Sequence, residues 1–147
     1  MYDFVDRPVV RLGRGSKFVL WAMRVWTHVV AEQDRGPAML GPAFAQFRVA
    51  AALEAFHLAM TLFQHGARAA LDLSSPACPK IAEDEAVLLA IWAAATGDAW
   101  HLRGTLALLL EPEAVEAALN AVTRAARVFA DAGIAIDGLS ATTRTAP

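Results

Sequence analysis

An all-α fold, a five-helix bundle around a long central helix, is predicted by three features of the sequence. Apolar residues recur at spacings of three and four through most of the chain, the period of a helix with a buried face. Breaks rich in Gly, Pro and Ser separate those stretches, at Gly36-Pro37, Ser74 to Pro79, Gly97-Asp98 and Pro112. No stretch alternates apolar and polar residues long enough for a sheet. Residues 1–147 are expected to form a single helical domain, with 1–15 and 138–147 irregular or frayed.

The first helix is expected over 16–34, capped by Ser16 and stopped by Gly36-Pro37. Phe18, Trp21, Val25 and Val29 make one stripe, and Val19, Ala22, Trp26 and Val30 a neighbouring one. The two Trp therefore lie on different faces, one suited to the core and one to an interface, with core packing the expectation for each taken alone. A loop over 35–42 leads into the central helix, 43–72, with Pro42 at its start. Val49, Leu53, Phe56, Met60 and Phe63 form one bulky stripe of that helix, and Phe44, Phe47, Ala55, Leu58 and Leu62 another. Ala45, Ala52, Ala59 and Gly66 make a ridge of small residues where a second backbone can come close. Thirty residues would span ~45 Å.

The turn over 74–80 precedes a third helix, 80–96, whose Glu83, Asp84 and Glu85 suit the positive end of the helix dipole and are expected to be solvated. Gly97 ends it and Asp98 caps a fourth helix, 99–110. Core packing accounts for Trp92 and Trp100 on either side of that turn. Pro112 opens the fifth helix, 112–132, with Val115, Ala118, Leu119, Val122, Ala126 and Phe129 inward and Gly133 just past its end.

The totals exclude several functions. Hydrophobic residues make up 56% of the chain and the mean hydropathy is +0.39, yet the longest run without Asp, Glu, Lys or Arg is 55–67. A spanning helix needs ~20 apolar residues, so no membrane association is expected. The surplus apolar surface points instead to a homodimer. A net charge of −2 with mixed signs and no basic stripe argues against nucleic acid. No apolar segment follows a basic start, so no signal peptide is read and the cytoplasm is the expected compartment. A single Cys, Cys78, allows no internal disulfide; before a helix it would be a reactive thiolate, but its acidic neighbours oppose that state.

Chemistry, if present, belongs on the polar strip of the central helix. His57, Thr61, Gln64, His65 and Arg68 lie along it and would suit a small anionic ligand. Glu54 and His57, three apart, project together as in metal-binding helices, with His28 of the first helix, or else His65, as a third ligand of a mononuclear site. A full di-iron set is not present, and no cofactor is expected. There is no nucleophile elbow and no phosphate-cradling glycine loop. Catalysis is not expected.

The combination of Trp21, Arg24 and Trp26, then Cys78-Pro79-Lys80-Ile81, Asp84-Glu85 and Leu88-Leu89, is similar to small uncharacterised all-helical proteins of alphaproteobacteria. That resemblance implies a bacterial helical protein and no activity. The function expected is thus a non-enzymatic helical interaction or regulatory module acting as a homodimer. The alternative is a bundle that binds a metal or small ligand through the Glu54/His57 strip.

Overall fold

The computed structural model describes residues 8–31, 36–134 and 136. Six α-helices form among them: α1 (Arg14–Val25), α2 (Gly41–Gln46), α3 (Leu53–Gly66), α4 (Glu83–Ala94), α5 (Ala99–Leu109) and α6 (Pro112–Asp131). The fold is all-α. Among the described residues, the extended pairings are isolated antiparallel bridges, Pro8 with Lys80 and Ala67 with Leu110.

The helix expected over 43–72 is two helices. α2 stops at Gln46, and Arg48 adopts a left-handed conformation with φ 63°. Its amide donates to Ala45 O at 3.0 Å, and the Val49 amide donates to Phe44 O at 2.8 Å. These are the two bonds of a Schellman helix end, in which the apolar residues on either side also pack together. Phe44 and Val49 are both fully buried. Glycine usually marks this ending; arginine occupies it here, so helical periodicity runs through the break unnoticed. A short 3-10 turn, Ala50–Ala52, then leads into α3. At the other end the chain leaves the helix after Gly66, where Ala67 is extended with ψ 143°.

The core is built around α3 and α6. Phe56, Met60 and Phe63 of α3 and Ala118, Val122, Ala126 and Phe129 of α6 are buried. A Cβ placed on Gly66 would stand 2.8 Å from Ala114 Cβ, so the two helices approach closely here. The small-residue ridge therefore meets α6 of the same chain at Gly66. Ala52 and Ala59 are also fully buried, while Ala45 is exposed. Aromatic rings join the layers: Phe56 stacks on Trp92 at 5.6 Å, and Phe44 lies 5.4 Å from Phe56 and 5.1 Å from Phe18. Trp92 Nε1 is buried without a hydrogen-bond partner, a cost of about 1–3 kcal/mol set against that ring packing.

α1 begins earlier than Ser16. Gly13 is its N-cap and Ser16 is buried inside the first turns. Val19, Ala22 and Trp26 face the core, while Trp21 is 39% exposed. Past Val25 the helix widens into a π-helical segment, Trp26–Ala31. The first residues described are not a loose arm: Val9 N donates to Pro79 O at 2.8 Å beside the Pro8–Lys80 bridge. Residues 1–7 and 137–147 lie outside the described residues.

The third expected helix begins at Glu83, and its acidic cluster is not uniformly solvated. Glu83 is exposed, and Asp84 accepts from Asp72 N at 2.7 Å. Glu85 is fully buried and forms an ion pair with Arg24, itself 1% exposed. Arg24 Nε donates to Glu85 Oε2 at 2.7 Å and Nη2 to Oε1 at 2.9 Å. The guanidinium also donates to Cys78 O and Lys80 O, each at 2.7 Å. Glu85 further accepts from Ser74 N and Ala82 N, each at 2.9 Å. One ion pair thus ties α1, α4 and the irregular chain between Ser74 and Ala82 together. Glu85 also caps its own helix, since Ala82 is the N-cap and has no side-chain acceptor to offer.

Candidate functional site

The polar strip of α3 opens onto a cleft beside the π-helical segment. π-helical turns occur mostly as local insertions and are frequent at functional sites. Here the segment presents Trp26 across to α3, where its Nε1–H donates to His57 Nδ1 at 3.0 Å. An indole nitrogen only donates, so Nδ1 carries the lone pair and the proton of the neutral imidazole sits on Nε2. Thr61 Oγ1 donates to His57 O at 2.8 Å, one turn back along the helix. Two adjoining hollows share Trp26, Gln64 and His65. One, of about 340 Å³, is the more polar of the two and holds His57 and Thr61 beside Val30 and Ala31. The other, of about 350 Å³, runs over Met60, Phe63, Leu73 and Leu88. A ligand with an apolar body and one hydrogen-bonding end would match that division.

His57, Thr61, Gln64 and His65 therefore share one cleft. Arg68 does not join them. It lies beyond the end of α3, where helical angles no longer apply; its Nε donates to Ala107 O at 3.3 Å and a guanidinium nitrogen stands 3.6 Å from Glu111. Glu54 is exposed on α3 and lines neither hollow. His28 Nε2 is 3.0 Å from the carbonyls of both Leu73 and Ser74. Carbonyls only accept, so this nitrogen is protonated and holds the loop in place. The three residues expected to share a metal ion thus have separate surroundings: solvent for Glu54, Trp26 for His57 Nδ1, and loop carbonyls for His28. Among the described residues no group of three or more His, Cys, Asp or Glu is placed to hold a metal ion. Cys78 is partly buried, and its thiol donates to Lys80 O at 3.4 Å.

A second surface went unread in the sequence. Trp100, expected in the core, is 79% exposed on α5, and Leu108 two turns further is 77% exposed. Gly104 lies midway between them with open space above it. Ala107 is exposed as well. The signal was present: residues 100, 104 and 108 share a face at helical spacing, opposite to Leu102 and Leu106, which are buried. Those two are the buried residues of α5. Arg103, the one arginine of α5, turns to Glu116 of α6 with its Nε 2.6 Å from Oε2.

No family model matches the chain, and no curated protein or solved structure matches it. Among the described residues no helix is long and apolar enough to cross a membrane.

Proposed function

We propose that the protein is a non-enzymatic helical interaction module that acts as a homodimer paired through α5. The observation that carries this reading is the stripe Trp100, Gly104, Leu108: two large apolar side chains, both more than three-quarters exposed, flanking a glycine. The stripe is self-complementary. Antiparallel pairing about a two-fold axis at Gly104 sets Trp100 against Leu108 of the partner subunit, and the reverse, as an isologous interface requires. The stripe is about 12 Å long at 1.5 Å per residue and carries no carboxylate between Ala99 and Leu110. An exposed Trp is also the residue type most often found as the anchor of an interface.

Light scattering at micromolar concentration tests the proposal. The expected result is a dimer that Trp100→Glu converts to monomer with little change in the protomer's own stability, because Trp100 is exposed there. A wild-type monomer at that concentration overturns it.

The cleft at His57 supports a second reading, a bundle that binds a small ligand. A ring with its Nδ1 already engaged presents Nε2–H as a donor of fixed direction toward a carbonyl or carboxylate. Under this reading His57→Ala lowers ligand-dependent thermal stabilisation, and elemental analysis of the purified protein shows whether a metal ion takes part.

A further inference from the structure

We propose that a third surface, the groove between the start of α1 and the end of α2, binds a small amphipathic monoanion: an aromatic body bearing one carboxylate. The groove holds about 580 Å³, within the range of small-molecule sites. Its floor is aromatic. Phe18 lies 4.6 Å from Phe47 and 6.3 Å from Trp21, ring centre to ring centre. Trp21 leaves more than a third of its surface open there. Two cations of α1, Arg14 and Lys17, also line it, with Gln46 contributed by α2, and none of the described lining residues is acidic.

Placement of charge over rings is what selects the ligand. The Arg14 guanidinium rests 5.4 Å from the centre of the Phe47 ring, a cation held against an aromatic face. Lys17 is three residues on, so both cations project from one face of α1. Arg14 is also the first residue of α1, whose positive dipole end adds to the same field. An aromatic body in the groove meets the rings of Trp21, Phe18 and Phe47 that line it, and its carboxylate has Arg14 and Lys17 in the same lining. A neutral hydrocarbon would leave those cations unanswered, and a bare anion would leave the rings wet.

Size favours a small molecule over a partner helix. The wall given by α1 runs from Arg14 to Trp21, about 10 Å, which is two turns. A helix laid in a groove is held by anchors at i, i+3, i+4 and i+7; this wall is no longer than that, and across from it stands only the short end of α2.

Fluorescence titration with two dyes tests the proposal: anilinonaphthalene sulfonate, and phenylnaphthylamine, the same rings without the charge. The Trp100→Glu protein is used, so that dye on the α5 stripe does not contribute. The sulfonate is expected to bind at least about fivefold more tightly, the scale of one charge-assisted contact. Arg14→Ala with Lys17→Ala should remove that advantage and leave the neutral dye unchanged. Trp21→Ala should weaken both dyes. Indole acetate should displace the sulfonate where indole at equal concentration does not. All three side chains are exposed, and unchanged thermal unfolding confirms that the variants fold. Equal affinity for the two dyes, or sulfonate binding that survives the double substitution, overturns the proposal.

Discussion

Arg24 with Glu85 and Arg103 with Glu116 are both arginine–carboxylate pairs with two hydrogen bonds, at nearly the same closest distance, 2.7 and 2.6 Å. Their surroundings differ. The first pair is 1% and 0% exposed; the second is 42% and 65% exposed. Water competes for the second pair and screens it, so its geometry says little about its worth. The first has left water behind, and each partner has become a condition for burying the other. It also serves four backbone groups, the carbonyls of Cys78 and Lys80 and the amides of Ser74 and Ala82. Bond length alone would rank these pairs as equals; burial and the number of dependent backbone groups separate them.

The largest effect expected is from breaking the buried pair on one side. Glu85→Ala leaves the Arg24 charge buried and two amides unanswered, a loss of about 3–5 kcal/mol in denaturant unfolding. A loss below ~1 kcal/mol would mean that water reaches Arg24 and that the contrast between the pairs is false. Replacing both partners, Arg24→Met with Glu85→Leu, removes the stranded charge and should recover part of that loss. Recovery stays incomplete, because the four backbone groups of the loop lose their partners at about 1 kcal/mol or more each. Full recovery would show that the loop finds other bonds, and hydrogen exchange at Ser74 and Ala82 reads this directly.

The smallest effect belongs to the exposed pair. Arg103→Ala or Glu116→Ala should shift the unfolding midpoint far less than either change above, and high salt should erase the shift. The hydrogen bond from Arg103 holds the Glu116 carboxyl below its ordinary pKa. A depressed carboxylate stabilises the fold above the unfolded pKa of about 4.3, and this is lost as pH falls through the lower folded value. Wild type and Glu116→Gln should therefore converge in stability at strongly acid pH and differ slightly at neutral pH. An equal difference at both would show that the pair acts through packing.

Helix ends repeat the same lesson about what can be read locally. α6 closes with Gly133 at φ 81°, its amide on Ala130 O and the Ile134 amide on Phe129 O, each at 3.0 Å. This is the bond pattern seen at Arg48. Glycine announces the first end in the sequence and arginine conceals the second, which is why 43–72 reads as one helix. The site divides similarly. His57, Thr61, Gln64 and His65 are found by helical angle because all lie within α3. Trp26 shares a helical stripe with Val19, Ala22 and Val30, but nothing local shows that its indole reaches His57, 31 positions away. Arg68 falls on the strip only if the helical angle continues, and α3 ends at Gly66.

The sequence by itself determined the helical class, the turn at Gly97-Asp98, the start at Pro112, the end at Gly133 and the inner face of α6. Each depends on hydrogen bonds and periodicity among residues within a turn or two of one another. Tertiary structure alone decided that Arg24 meets Glu85 from 61 positions away, that Trp92 is buried while Trp100 is not, and that Trp21 lines one groove with Arg14, Lys17 and Phe47. Whether a face is covered depends on which distant element lies across it, and no local spacing records that.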